Sequence, residues 1–166
     1  MTNDPRLDLA TKLRPGNAVA ALITIEGRYI LQLRDDKNEI FFPRHWGCFG
    51  GACEIGETPE RALVRELREE IDIELDPSVL RYFSRFDFDL GFAGLTPVWR
   101  YFYEIELPAS TFGLLRLREG ADMRAFPADE ILTNRIDIVP YDGFALWLHI
   151  NRARLENSSH SEGRES

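Results

Sequence analysis

The ten residues from Val64 to Ile73, VRELREEIDI, carry three glutamates, Glu66, Glu69 and Glu70. The run reads as part of a helix from about Thr58 to Ile71. Thr58 suits an N-cap, Pro59 the first helical position and Glu60 the positive end of the dipole. Turning the sequence by about 100° per residue sorts the side chains into three wedges. Leu63, Val64, Leu67 and Ile71 form an apolar wedge that must face a core. Glu66, Glu69 and Glu70 gather in a second, with the small Ala62 among them. Arg61, Arg65 and Arg68 make the third. Like charges at i,i+3 and i,i+4 repel, so something has to offset the acids. Spacing alone leaves two outcomes open. One is a solvated charged face laced by Glu–Arg pairs such as Glu69 with Arg65. The other is a set of hard oxygen donors for a divalent cation.

Around this helix, strands and helices mix without a strict β-α-β-α alternation. NAVAALITI (17–25) reads as a buried strand, EGR (26–28) as a turn, YILQLRDD (29–36) as the return of a hairpin, and 46–50 as a short strand. Residues 79–90 and 98–107 alternate apolar and polar side chains and read as strands with one buried face, joined by the loop GFAGLTP. A strand is expected over 121–126 and a short helix over 127–132. An amphipathic helix is expected over 142–156, with Phe144, Leu148 and Leu155 on one side. The pattern predicts an α+β chain, a mixed β-sheet with helices packed on it. With 166 residues and 44% hydrophobic side chains, the chain is long enough for one domain with a real core. The expected division is a lead-in over 1–16, a folded domain over 17–156 and a polar, disordered tail over 157–166.

A formal net charge of −8 argues against a nucleic-acid or anionic-membrane binder, which would want a basic face. A phosphorylated substrate would need local positive charge, which a metal ion supplies. The N-terminal stretch lacks the apolar segment of a signal peptide, and no apolar run approaches the ~20 residues of a membrane span. The cytoplasm is therefore the expected location. Cys48 and Cys53 fit neither a CxxC pair nor a disulfide framework and read as reduced cysteines in or near a strand.

The loop before the helix, FGGACEIGE, sets Gly50, Gly51 and Gly56 beside two further acids, Glu54 and Glu57. It reads as a loop that folds back to bring its carboxylates to those on the helix. It is not a P-loop, because no Gly-Lys-Ser/Thr follows. Loop and helix together resemble the Nudix hydrolases, whose signature is G-x5-E-x7-R-E-U-x-E-E-x-G-U, with U a bulky aliphatic residue. Gly51, Glu57, Arg65-Glu66-Leu67, Glu69-Glu70 and Ile73 fall on eight of its nine defined positions. Asp72 stands where the family has glycine, at a left-handed helix exit that Asp tolerates better than most residues. RHWGCFGG resembles the family's lead-in to the signature, although Phe49 stands where many members have proline. YILQLRDD suits its second strand.

The resemblance implies the Nudix-type α/β/α sandwich with a mixed sheet. It also implies a hydrolase in which water attacks a phosphorus of a nucleoside diphosphate derivative, such as a nucleotide sugar or a modified (d)NTP. The implied cofactor is Mg2+, with Mn2+ as an alternative, held by Glu66, Glu69 and Glu70, with Glu54 and the backbone of Gly51 completing the shell. Glu66 would ligate the metal, or orient and deprotonate the water. Arg65 would pair with Glu57 to hold the loop on the helix. Glu119, just before Gly120, resembles an acid that some members carry outside the signature as ligand or base. Arg34 and Arg44 are candidate phosphate contacts. Trp46, with Phe92, Trp99 and Phe102, is a candidate platform for a base. The implied partner is a small nucleotide, with neither nucleic acid nor membrane, and family habit leaves a homodimer open. One competing reading is a Nudix-fold module that senses a nucleotide without cleaving it, against which the intact Glu66, Glu69 and Glu70 argue. Another is the isomerase branch acting on isopentenyl diphosphate, for which Cys48 lacks the expected surroundings.

Overall fold

AVAALITI has no polar side chain before Thr24, so it needs cover on both faces. In the computed structural model it forms β1 (Ala18–Ile25), with Ala20 and Leu22 turned to one core and Val19, Ala21 and Ile23 to another. The structure describes residues 16–161 apart from Glu39, Leu90, Phe92, Ala93, Leu95 and Asn134; from 153 to 161 only the backbone is described. Glu26 and Gly27, at φ 49° and 73°, make the tight turn into β2 (Arg28–Leu33). The sheet is completed by β3 (Trp46–Gly47), β4 (Arg81–Phe88), β5 (Val98–Glu106) and β6 (Asp122–Phe126). Its order is β3-β2-β1-β5-β4, with β6 also paired to β2. β1 and β5 are parallel; the other pairs are antiparallel. This is the mixed α+β sheet expected from the sequence.

A helix covers each face. α1 (Pro59–Ile71) lays Leu63, Leu67 and Ile71 on Val19, Ala21, Ile23, Phe49 and Ile105. On the other face α3 (Pro140–Ser161) lays Ala145, Leu146 and Ile150 on Leu22, Leu31, Trp46 and Phe102. A short α2 (Ala128–Leu132) precedes it.

Four details differ from the sequence reading. β5 is buried on both faces rather than one, because it lies between β1 and β4 under both helix layers; Phe102 and Ile105 are both in the core. The inner side of α3 is Ala145, Leu146 and Ile150, whereas Phe144 and Trp147 are exposed and stack on each other at 6.4 Å. Phe144 and Leu148 are therefore not the core-facing stripe, and the side chain of Leu155 lies outside the described residues. The helix itself continues to Ser161, into the stretch expected to be tail. On α1, Val64 is only half-buried while Ala62 is fully buried, so the covered arc is rotated toward the acids. Leu146→Ala is expected to cost about 2–5 kcal/mol by leaving a cavity. Trp147→Ala is expected to cost about 1 kcal/mol or less, and chemical denaturation of the two variants separates these values.

The ends of α1 fix its register over the site. Thr58 Oγ1 accepts the N–H of Arg61 at 3.4 Å. Asp72 ends the helix in the left-handed region (φ 57°, ψ 37°) and sends its N–H to the Arg68 carbonyl. The departure from glycine is thus accommodated as expected, and Arg118 pairs with the Asp72 carboxylate at 2.7 Å. The N–H groups of Arg116 and Arg118 bond the carbonyls of Ile71 and Glu70, strapping the 115–121 connection across the helix end.

Candidate active site

The Phe49–Ala52 loop is bonded to β1 before it reaches α1. Val19 N–H donates to the Gly51 carbonyl and Ala21 N–H to the Phe49 carbonyl, both at 2.9 Å. Two glycines permit this approach. A Cβ on Gly50 (φ 129°) would lie 2.3 Å from the Val19 carbonyl oxygen, and one on Gly51 would lie 2.5 Å from the Glu66 carboxylate. β1 therefore presses the glycine loop against the acidic flank of the helix.

Arg65 ties that loop down. Its Nε and Nη2 bond the two oxygens of Glu57 at 3.1 and 3.0 Å, and Nη2 also bonds the Ala52 carbonyl at 2.9 Å. Its Nη1 bonds Glu66 at 2.8 Å and Glu69 at 3.2 Å. A planar guanidinium can serve so many acceptors at once, where an ammonium cannot. Arg65 also holds the Glu57 carboxyl below its usual range, chiefly through the hydrogen bond it donates. Glu54, one of the loop acids, contributes its backbone N–H to Glu57.

Glu70 is treated differently. It is 6% exposed. Its Oε1 accepts from Gln32 Nε2 at 2.9 Å and its Oε2 from Gly50 N–H at 2.7 Å. Both donors are neutral. Among the described residues no cation lies within hydrogen-bond distance of this carboxylate, in contrast to Glu66 and Glu69. Its pKa is raised to about 7: burial is the largest cause, the two hydrogen bonds oppose it, and repulsion from Glu66 and Glu119 adds to the rise. Burial also raises Glu66, against the opposing pull of Arg65.

These groups fit a hard divalent cation by the chemistry of their donors: carboxylate oxygens, gathered on one helix face, with one buried member lacking a counter-charge. Among the described residues, however, no group of three His, Cys, Asp or Glu side chains is already converged for a metal ion, because Arg65 holds Glu66 and Glu69.

A pH dependence follows. Without a cation, the folded state favours protonated Glu70 relative to the unfolded chain. Its contribution to stability is fully present below the ordinary carboxylate pKa of 4.5 and is lost as pH rises through about 7. The difference in Tm between metal-free wild type and Glu70→Gln is therefore expected to grow in favour of the variant from pH 5 to pH 8. Thermal melts across that range read it out, and an unchanged difference contradicts it.

The other predicted site residues are placed as follows. Glu119 is exposed on the strapped connection, close enough to raise the pKa of both Glu66 and Glu70. Gly51 gives its carbonyl to β1, with a second lone pair free of that bond. Arg34 sends Nε to the Phe41 carbonyl at 2.9 Å, and exposed Arg44 pairs with Asp36 at 3.7 Å. Among the described residues neither bonds the acid cluster. Trp46 is 8% exposed, edge-on to Phe126 with Arg124 over its ring, so it packs as core rather than as a platform for a base. Phe102 is fully buried, with Phe86 and Arg100 against its ring, and is core as well. Trp99 carries the guanidinium of Arg85 at 5.1 Å, and Phe92 lies outside the described residues. Cys48 and Cys53 are free thiols. The reading of the sequence missed Gln32 and the Gly50 N–H. Gln32 left a signal, as the lone polar residue in the otherwise apolar run YILQL.

Residues 14–145 match the profile of the NUDIX domain. Over 64 residues the chain is 41% identical to nucleoside triphosphatase NudI of Escherichia coli O139:H28, a stretch that is 38% of this chain and 44% of that protein. The chain thus spans less than half the length of the curated relative it matches. Its fold is similar to that of the MutT protein from Methanosarcina mazei Go1 (TM-score 0.65, 20% identity, covering 85% of this chain and 96% of that one). It is also similar to the NUDIX domain of Shewanella oneidensis NrtR complexed with ADP ribose (TM-score 0.65, 15% identity, covering 92% and 94%). At these identities the structural likeness is one of fold.

Proposed function

The chain belongs to the NUDIX domain family, and from that premise we propose that it is a divalent-metal-dependent pyrophosphohydrolase acting on a nucleoside diphosphate derivative or a nucleoside triphosphate. The observation that carries this reading is Glu70: a buried carboxylate, fixed on both oxygens by neutral donors, beside Glu66 and without a cationic partner among the described residues. A surface helix that only needed to stay wet would not bury this acid. Glu66, Glu69 and Glu70 would hold the ion, magnesium by its preference for oxygen donors, with manganese able to replace it. When bound, the ion neutralises phosphate oxygens and lowers the pKa of a bound water.

The chain's own residues do the rest. Arg65 and Glu57 lock the glycine loop on α1, so the carboxylates start from a fixed frame. Glu119, exposed and held near the cluster by the backbone bonds of the 115–121 connection, is the proposed proton acceptor for the attacking water. A cleft of about 480 Å³ between β4 and α3, lined by Phe86, Phe88, Pro140, Tyr141 and Phe144, offers aromatic surface for a base. No described helix is long and apolar enough to cross a membrane.

The test is incubation with nucleoside triphosphates, nucleotide sugars and dinucleotides, with and without magnesium, in 18O-labelled water. Metal-dependent release of NMP, with label entering one phosphate product, is the expected result. A second reading, a domain that binds a nucleotide without cleaving it, draws support from the ADP ribose held by the similar NrtR domain. Tight nucleotide binding with no turnover across the panel would favour that reading.

A further inference from the structure

Gln32 is the penultimate residue of β2, between Leu31 and Leu33, and it is 4% exposed. Its amide makes one hydrogen bond among the described residues, from Nε2 to Glu70 Oε1, across 38 positions of sequence. An amide is unfavourable to bury unless its partner repays the desolvation, and the neighbours Ile30 and Leu31 show that an apolar side chain would suit the strand. Packing therefore does not explain this residue; Glu70 does.

The amide is also held still. β2 is paired at this position on both sides, with Gln32 opposite Gly47 of β3 and opposite Met123 of β6. Gly120 leaves room for it: at φ 92°, a Cβ there would lie 2.9 Å from Gln32 Oε1 and 3.0 Å from the Leu33 carbonyl oxygen. Glu70 is thus clamped between two donors from separate elements, Gln32 on the sheet and Gly50 on the glycine loop.

We infer that Gln32 is a positioning residue that fixes the Glu70 carboxylate for the divalent ion, an inference that rests on the hydrolase reading of this site. The groups that touch the ion and substrate remain the glutamates; Gln32 acts through one of them.

The test uses Gln32→Met and Gln32→Asn in the full chain. Methionine keeps the volume and removes the donor; asparagine keeps an amide and loses the reach. Mn2+ binding is measured by the electron paramagnetic resonance of the free ion, alongside kcat, KM and Tm. Both variants are expected to bind Mn2+ about 10–100-fold more weakly, with a matching fall in kcat at limiting metal and a change in nucleotide KM of less than about threefold. A side chain needed only for packing predicts instead that methionine, which keeps the volume, behaves as wild type. Folded variants of either kind that bind Mn2+ within about twofold of wild type overturn the assignment. A wild-type protein that neither binds Mn2+ nor hydrolyses any nucleotide overturns the hydrolase reading and this inference with it. Wild-type activity with unaltered variants overturns the inference alone.

Discussion

Glu70→Gln is expected to lower kcat by about 10²–10⁴-fold, the equivalent of losing several kcal/mol of charge stabilisation around a metal ion. The protein is expected to stay folded, because two effects oppose each other. Both carboxylate oxygens of Glu70 now accept a hydrogen bond, from Gln32 and from Gly50. A glutamine has one oxygen for these two donors, so one bond is lost. Against that, the substitution removes a carboxylate whose burial disfavours its charge above pH 7. Steady-state kinetics together with a thermal melt separate chemistry from folding. Wild-type turnover in a folded Glu70→Gln protein would remove the acid cluster from the mechanism.

Arg65→Lys is expected to lower kcat/KM by about 10–100-fold although the charge is kept. The guanidinium serves Glu57 through two nitrogens and also reaches Glu66, Glu69 and the Ala52 carbonyl. An ammonium has three donors and no fork, so at least the paired contact with Glu57 is lost. With that contact the 52–57 part of the loop is released from α1, while β1 still holds Phe49 and Gly51. The expected signature is a lower Tm and faster hydrogen exchange in residues 52–57, with α1 itself still protected. Kinetics and exchange profiles that match wild type would show that the loop needs no such tie.

The helix and its three wedges were readable because a 3.6-residue period is written directly into the order of residues. Thr58, Pro59 and Asp72 marked its two ends for equally local reasons. The Arg65–Glu57 pair could be expected only from the family resemblance, since eight positions of sequence and a loop separate the two. What stayed hidden were properties of neighbours far along the chain. Alternation in 98–107 suggested one buried face, and only the placement of β5 between β1 and β4 buries the second. α3 has apolar residues on much of its circumference, so periodicity could not choose between Phe144 and Leu146 as the inner side. Trp46 reads as a base platform when taken alone, but Phe126, eighty positions later, closes over it. Gln32 on β2 and Glu70 on α1 meet across 38 residues through the packing of the helix on the sheet. The candidate carboxylates were legible; the donors that hold the most buried of them were not.

On the proposed function, the carboxylates of α1 are assembled for a divalent ion, and the salt links of Glu66 and Glu69 to Arg65 are what two of them make without one. The most direct measurement is an anomalous difference map from crystals soaked in millimolar MnCl2. The expected result is a single strong peak in contact with oxygens of Glu66, Glu69 and Glu70, with Arg65 Nη1 drawn off the first two. A featureless map at this cluster, with Glu66 and Glu69 still bonded to Arg65, would contradict it.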